Sequence, residues 1–332
     1  MTVAPPSPVG LKHDFPFDPT YGYDLDALLR VPAPEPPPDF ADFWRQMYAD
    51  ARAVATRPTL VRPARGSKDV EAWHLEFTTL GGLRLKGWLT RPKGRPVTRG
   101  VVVSHGYGGR LRPDLSLPIE GAAAIFPCAR GLPRSRVRGI PPVGGKHVLH
   151  GIDSRETYVH GGCAADIWCA ATALTELVPE AAARLDYIGG SFGGGVGALA
   201  LPWDDRLRAA HLSVPSFGNH PLRVTLPCVG SGESVRLLHQ KRPEVLDVLR
   251  YFDAATAAQH VRVPVHVAAA LFDPAVPPPG QFAVFNALPE PKELFVLVAG
   301  HYDHPDSAAE NVRLRASLER FFAAPPLEKT TS

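Results

Sequence analysis

The sequence predicts an α/β fold: a mostly parallel, doubly wound sheet preceded by an antiparallel hairpin and a helical arm. Three observations predict it. Short apolar runs and helix-like stretches alternate from Val101 onward, a rhythm that parallel strands with right-handed crossovers produce. Two alternating segments, Val70 to Phe77 and Leu83 to Thr90, flank Gly81-Gly82 as in a hairpin. The apolar run Leu185 to Ile188 feeds directly into Gly189-Gly190-Ser191-Phe192-Gly193 and a small-residue helix reaching Leu201.

The elements follow in order. Residues 1–55 form an N-terminal arm, in which the Pro-rich stretch Val31 to Pro38 precedes Asp39, a residue type that caps helices, and an amphipathic helix to about Ala55. Residues 56–325 form the α/β unit. After the hairpin, the strands are Val101 to Ser104, Ala122 to Phe126, Leu185 to Ile188, Ala209 to Ser213, Val263 to Ala270 and Leu294 to Val298. Val159 to Leu177 and the helix after Ser191 lie between them. Ser216 to Tyr251 carries no clear strand and reads as a helical insert over the site; lids of this kind restrict what enters a site.

Composition excludes several classes. The net charge of +3 comes from scattered residues, so neither nucleic acid nor an anionic membrane surface is an expected partner. The most basic stretch, Arg130 to Lys146, is rich in glycine and proline and reads as a solvated loop. Cys128, Cys163, Cys169 and Cys228 show no C-x-x-C pair and no metal-ligand spacing. They read as small buried thiols. Met1 to Phe17 has no apolar stretch of signal-peptide length, and no segment offers the ~20 apolar residues of a membrane span. A cytoplasmic location is the expectation.

Gly189-x-Ser191-x-Gly193 between a strand and a helix is the pattern of a nucleophile elbow, which lifts a serine hydroxyl clear of the backbone. Such a hydroxyl needs a base, a group that orients the base, and donors for an oxyanion. Asp273 follows the buried strand 263–272, and His301 follows the strand 294–298. Ser191, Asp273 and His301 thus end three strands in the chain order of α/β-hydrolases, at the sheet edge where open α/β sheets build their sites. His304 is a rival base, read as a solvated or capping residue. Asp303 and Asp306 are rival acids, but they follow the histidine and read as stabilising the N-terminus of the last helix. The turn His105-Gly106-Tyr107-Gly108 follows the strand at Val101, so the Tyr107 and Phe192 amides are the candidate oxyanion donors. His105 reads as a brace for that turn.

On these residues the chain resembles the acetyl xylan esterase and cephalosporin C deacetylase family, the seventh carbohydrate esterase family. The likeness runs from Asp24 to Phe322 through Asp39-Phe40, Phe43-Trp44, His105-Gly106-Tyr107, Arg130-Gly131, Gly151-Ile152, Thr157-Tyr158, Gly190-Ser191, Ser213-Val214-Pro215, Tyr251-Phe252-Asp253, Asp273, Pro277-Pro278 and Gly300-His301. The resemblance implies an α/β-hydrolase in which Ser191, His301 and Asp273 remove acetyl groups from alcohols or sugars, with Tyr107 and Phe192 as oxyanion donors. It also implies Pro215 and Ala275 in a small acyl pocket, and a homo-oligomer, a hexamer in the family. The implied partner is a small ester, in the family an acetylated sugar, and no metal or organic cofactor is required. Where the family reads Arg-Gly-Gln, Gly-x-Ser-Gln-Gly and His-Glu, this chain has Leu132, Phe192 and Tyr302 at the polar positions. Phe192 and Leu132 are expected to make the surroundings more apolar and to favour less polar esters. Two other functions remain open: the same triad acting on longer esters, lactones, thioesters or peptides, and a catalytically silent binding protein on a hydrolase fold.

Overall fold

The computed structural model describes Pro8 and residues 10–325; residues 1–7 and 9, part of the expected arm, lie outside the described residues, as do 326–332. Nine strands are present among the described residues: β1 (Thr59–Ala64), β2 (Val70–Thr79), β3 (Leu83–Pro92), β4 (Arg99–Val103), β5 (Ala122–Pro127), β6 (Leu185–Gly190), β7 (Leu207–Ser213), β8 (Val265–Phe272) and β9 (Lys292–Ala299). They form one sheet in the order β1-β2-β3-β5-β4-β6-β7-β8-β9. β1 to β3 pair antiparallel, β3 pairs antiparallel with β5, and every pair from β5 to β9 is parallel. The α/β-hydrolase reading of the sequence is therefore the fold observed.

The hairpin register pairs Thr79 with Leu83, and both glycines of its turn have positive φ, 82° and 72°, which a side chain would resist. β1 went unread in the sequence. Its residues are almost all exposed and include Pro63, so the alternation that marks a half-buried strand is absent. β8 has the opposite character: all eight residues are buried, as suits a parallel strand paired on both sides and covered on both faces.

Helices cover both faces. Helix Val159–Leu177 is buried along most of its length, between the sheet and the arm helix Phe40–Arg52. Trp44 and Trp168 meet edge to face at 6.3 Å, and their indole N–H groups donate to Tyr251 O at 2.8 Å and Ala200 O at 3.0 Å. Truncating either to alanine would cost about 3–5 kcal/mol. On the other face, Leu318, Phe321 and Phe322 of helix Ser307–Ala323 pack on Ala209. Among the described residues no helix is long and apolar enough to cross a membrane.

Several local expectations are corrected. Asp39 makes no capping hydrogen bond; its carboxylate accepts instead from Tyr251 Oη at 2.5 Å and Arg155 Nη1 at 2.6 Å. That ties the arm to the segment 216–251, which holds helices His220–Arg223, Gly232–His239 and Val245–Leu249. Asp306 stands at the N-cap of the last helix, also without a side-chain capping bond. Arg130 is buried rather than solvated, and its guanidinium pairs with Asp166 at 2.6 Å. The four cysteines, by contrast, are buried and unpaired as expected.

Candidate active site

The strand order places the site. From β4 the chain moves outward to β5 on one side, and from β6 to β7, β8 and β9 on the other, so loops after β4 and β6 diverge at a topological switch point. Ser191 follows β6 with φ 54° and ψ −119°, a region that non-glycine residues occupy at a cost of about 1–3 kcal/mol. Tight packing holds it there. A Cβ on Gly189 would fall 2.5 Å from Gly193 O, and one on Gly193 would fall 2.9 Å from His105 O.

His301 Nε2 lies 2.9 Å from Ser191 Oγ, and His301 Nδ1 lies 2.8 Å from Asp273 Oδ2. The three strand-end residues therefore form one hydrogen-bonded line. Asp273 is fully buried. Its Oδ1 accepts from the Ala275 and Val276 amides, each at 2.9 Å, and its Oδ2 accepts from Gln281 Nε2 at 2.9 Å as well as from His301. As carboxylate oxygens only accept, His301 donates through Nδ1 and turns an acceptor Nε2 toward the serine hydroxyl. Burial is the largest influence on His301 and lowers its pKa, but the hydrogen bond and charge of Asp273 outweigh it and raise the value overall. Gly300 makes room for this pair, since a Cβ there would fall 2.3 Å from Asp273 Oδ2.

The rival residues are engaged elsewhere. His304 Nε2 lies 3.3 Å from Glu310 Oε2, with both side chains buried, so it is not the solvated residue the sequence suggested. His105 spans its turn: Nδ1 donates to Gly106 O at 2.7 Å and Nε2 accepts from the Ala129 amide at 3.1 Å.

Phe192 opens the helix Phe192–Ala200, so its N–H has no intrahelical acceptor. Neither it nor the Tyr107 amide donates to a backbone acceptor among the described residues. The Tyr107 and Phe192 rings are 4.3 Å apart, which couples the two turns. A buried relay fixes Tyr107 further. His147 Nε2 donates to Arg130 O at 2.9 Å, so its Nδ1 accepts from Tyr107 Oη at 3.3 Å, and Tyr107 Oη in turn accepts from His160 Nε2 at 3.0 Å. Arg130 is anchored through its backbone N–H and guanidinium on Asp166.

A cavity of about 260 Å³ opens at Ser191 and is lined also by Gly106, Tyr107, Phe217, Val235, Ala275 and His301. Of the two residues expected in an acyl pocket, Ala275 lines the cavity and Pro215 does not. Pro215 sits behind the elbow, where a Cβ on Gly194 would fall 3.0 Å from its Cα. Phe192 and Leu132 are 2% and 1% exposed and are absent from the lining. They belong to the core behind the cavity, where the Phe192 ring packs on Tyr107 and Phe217 of the lining. Tyr302 leans on Phe272 and donates to Lys12 O, tying the N-terminal stretch beside the Asp273 loop.

Sequence reasoning missed Gln281, His147, His160 and Asp166. Asp166 carried a signal, a lone acid within Ala164-Ala165-Asp166-Ile167 that had to find a partner if buried. Gln281, on a helix that begins at Pro278, follows the acid by eight residues without any motif.

A model of the acetyl xylan esterase (AXE1) family matches residues 24–315. An acetyl esterase of Xylanibacter ruminicola is 22% identical over 290 residues, 81% of this chain; the chain spans 64% of that relative's length. Among solved structures, an acetyl xylan esterase from Paenibacillus sp. R4 has a TM-score of 0.72 at 23% identity, with 89% of this chain and 99% of the other covered. Acetyl xylan esterase 1 from Thermoanaerobacterium sp. JW/SL YS485 has a TM-score of 0.71 at 19% identity, covering 91% and 99%. These structures share the fold, and the match across residues 24–315 shows that the chain belongs to the acetyl xylan esterase family.

Proposed function

We propose that this protein is a serine carboxylic ester hydrolase that removes short acyl groups, acetyl first among them, from alcohols or sugars. The observation that carries the reading is the line Ser191 Oγ–His301 Nε2 at 2.9 Å and His301 Nδ1–Asp273 Oδ2 at 2.8 Å, opening on the cavity. Family membership supports ester hydrolysis as the reaction.

In this reading Ser191 Oγ attacks the ester carbonyl while His301 Nε2 takes its proton. The oxyanion settles between the Tyr107 and Phe192 amides, each contributing about 3 kcal/mol. His301 returns the proton to the departing alcohol oxygen as the carbon–oxygen bond breaks. Water, deprotonated by the same nitrogen, then releases the acid from the acyl-enzyme, while Asp273 holds the tautomer and stabilises the imidazolium. A homo-oligomer and a cytoplasmic location belong to the proposal as well; the four unpaired, buried cysteines suit a reducing compartment.

The test is hydrolysis of p-nitrophenyl esters from acetate to octanoate by the wild type and by Ser191→Ala. Activity concentrated on acetate and propionate and lost in the variant is the expected result. A preference for octanoate would replace the short-acyl assignment, and the absence of any Ser191-dependent hydrolysis would overturn the esterase reading.

A further inference from the structure

The cavity at Ser191 carries a positive charge that the acyl-transfer steps do not use. Arg223 and His220, both on the short helix His220–Arg223, line it together with Ser191, Tyr107 and His301. Arg223 is only 8% exposed. Its Nη1 donates to Leu226 O at 3.2 Å, and its Nη2 lies 2.9 Å from Cys228 Sγ. Among the described residues no carboxylate is ion-paired with it. Glu233, whose charge it does feel, is committed to Arg236 at 2.6 Å and to the Cys228 amide at 3.1 Å. A guanidinium has five donors, and a buried charge with no carboxylate bonded to it is costly to keep.

The surroundings add to that positive potential. The Arg223 guanidinium lies against Gly232, the first residue of helix Gly232–His239, where a Cβ would fall 1.6 Å from Nη2. The N-terminus of that helix carries partial positive charge, although its first turn also holds Glu233 and its Glu233 and Ser234 amides are bonded to Gly230 O and Ser231 O; Ser231 and Gly232 line the same cavity. His220 is 3% exposed, and among the described residues neither ring nitrogen has a partner in hydrogen-bond geometry. Burial and then the Arg223 charge push its pKa down to about 3, against a smaller upward pull from the Phe252 carbonyl. The neutral ring keeps one donor and one acceptor.

We infer that Arg223 receives a carboxylate carried by the substrate, with His220 beside it as a neutral hydrogen-bonding group, so that the preferred ester is an anionic one. The inference rests on the esterase reading above and names its substrate class. Guanidinium and carboxylate match in plane and charge, and beside the buried Arg223 their hydrogen bonds are stronger than between neutral groups. A neutral ester of equal size leaves the guanidinium uncompensated.

Two matched pairs test it, one for each side of the scissile bond. 4-Acetoxybenzoate against 4-acetoxybenzamide places the carboxylate on the leaving group, and p-nitrophenyl hydrogen adipate against p-nitrophenyl hexanoate places it on the acyl group. The readout is the ratio of kcat/KM within a pair, which does not depend on how much of a variant is folded. In one pair the wild type is expected to favour the anion by about tenfold or more, the size of one charged hydrogen bond. Arg223→Met should abolish the preference and Arg223→Lys should retain part of it. Ratios near one in both pairs, with Ser191-dependent hydrolysis of the neutral esters, would overturn this inference alone, as would a preference that survives in Arg223→Met. No Ser191-dependent hydrolysis of any of the four esters would overturn the esterase reading, and this one with it.

Discussion

Gln281 Nε2 donates to Asp273 Oδ2 at 2.9 Å, and the same oxygen receives His301 Nδ1 at 2.8 Å. Gln281 is itself clamped: Nε2 also donates to Val276 O at 2.6 Å, and Oε1 accepts from the Ala270 amide at 2.8 Å. The amide therefore sets where the carboxylate sits, and the carboxylate sets the imidazole. Gln281 is a positioning residue, one step removed from the reacting atoms.

Replacing Gln281 with leucine removes a hydrogen bond to a charged acceptor, worth about 1.5–3 kcal/mol. Where that loss is felt in the transition state, kcat falls by about tenfold to a hundredfold. KM for p-nitrophenyl acetate should change little, because Gln281 does not line the cavity. Steady-state kinetics on folded protein, checked by circular dichroism, decides the matter. An unchanged kcat would mean that the Ala275 and Val276 amides hold Asp273 without help.

The pH profile of hydrolysis reports His301. Only the neutral imidazole can take the serine proton, and the hydrogen bond and charge of Asp273 raise its pKa above the ordinary 6.5 in spite of burial. On the acid side kcat/KM should therefore rise with pH through a midpoint above 6.5. In Asp273→Asn the upward influence is gone and burial is left, so the residual activity should titrate at lower pH. A wild-type midpoint below the ordinary imidazole value would contradict the observed pairing. His301 contributes stability that is present below pH 6.5 and lost as pH rises through its folded value.

How much of this was legible in the sequence follows from how local each signal is. The Ser191 elbow, Asp273 and His301 each sit at the end of an apolar run, so strand and motif are read together from a few neighbouring residues. Gln281 and the His147–Tyr107–His160 relay are joined only by the fold, and no spacing announces them. β1 was hidden for another reason. Its exposed edge position removes the alternation that burial imposes on a strand. Arg130 was misread because glycine and proline around a charge suggest a solvated loop, whereas its buried partner Asp166 lies on a helix far along the chain. Phe192 and Leu132 were seen as changes of polarity at the site, yet both side chains point into the core.

Backbone strain at Ser191 gives a stability prediction independent of chemistry. With φ 54° and ψ −119°, any side chain at position 191 is strained, while glycine is not. Ser191→Ala and Ser191→Gly both lack the hydroxyl and should both be inactive. Ser191→Gly should nevertheless be at least as stable as Ser191→Ala, by up to about 1 kcal/mol, even though glycine gives the unfolded chain more freedom. Urea unfolding of the two variants measures the difference. A glycine variant less stable by about 1 kcal/mol would mean that the turn is relaxed with a side chain in place.

Acid should weaken the fold through its buried histidines before most carboxylates protonate. Burial is the largest cause in each case, lowering His105 and His266 to about 4 and His211 and His220 to about 3, from an ordinary 6.5. Below pH 6.5 the unfolded chain takes up protons at these four positions while the native protein does not, so stability falls as pH falls. Each such proton contributes about 1.4 kcal/mol per pH unit. Asp253 works in the opposite direction: burial raises it to about 6, so between there and 3.8 the native state holds one proton that the unfolded chain lacks. Asp186, raised by burial, and His301, raised by Asp273, also oppose, but burial lowers His74, His147, His160 and His260 as well, so the lowered histidines outnumber the opposing groups. The urea midpoint should drop steadily from about pH 7 to about pH 5, steeper than one proton can produce. A flat midpoint over that range would mean that the His211–His266 pair, whose Nδ1 atoms lie 3.2 Å apart, accepts a proton within the native fold.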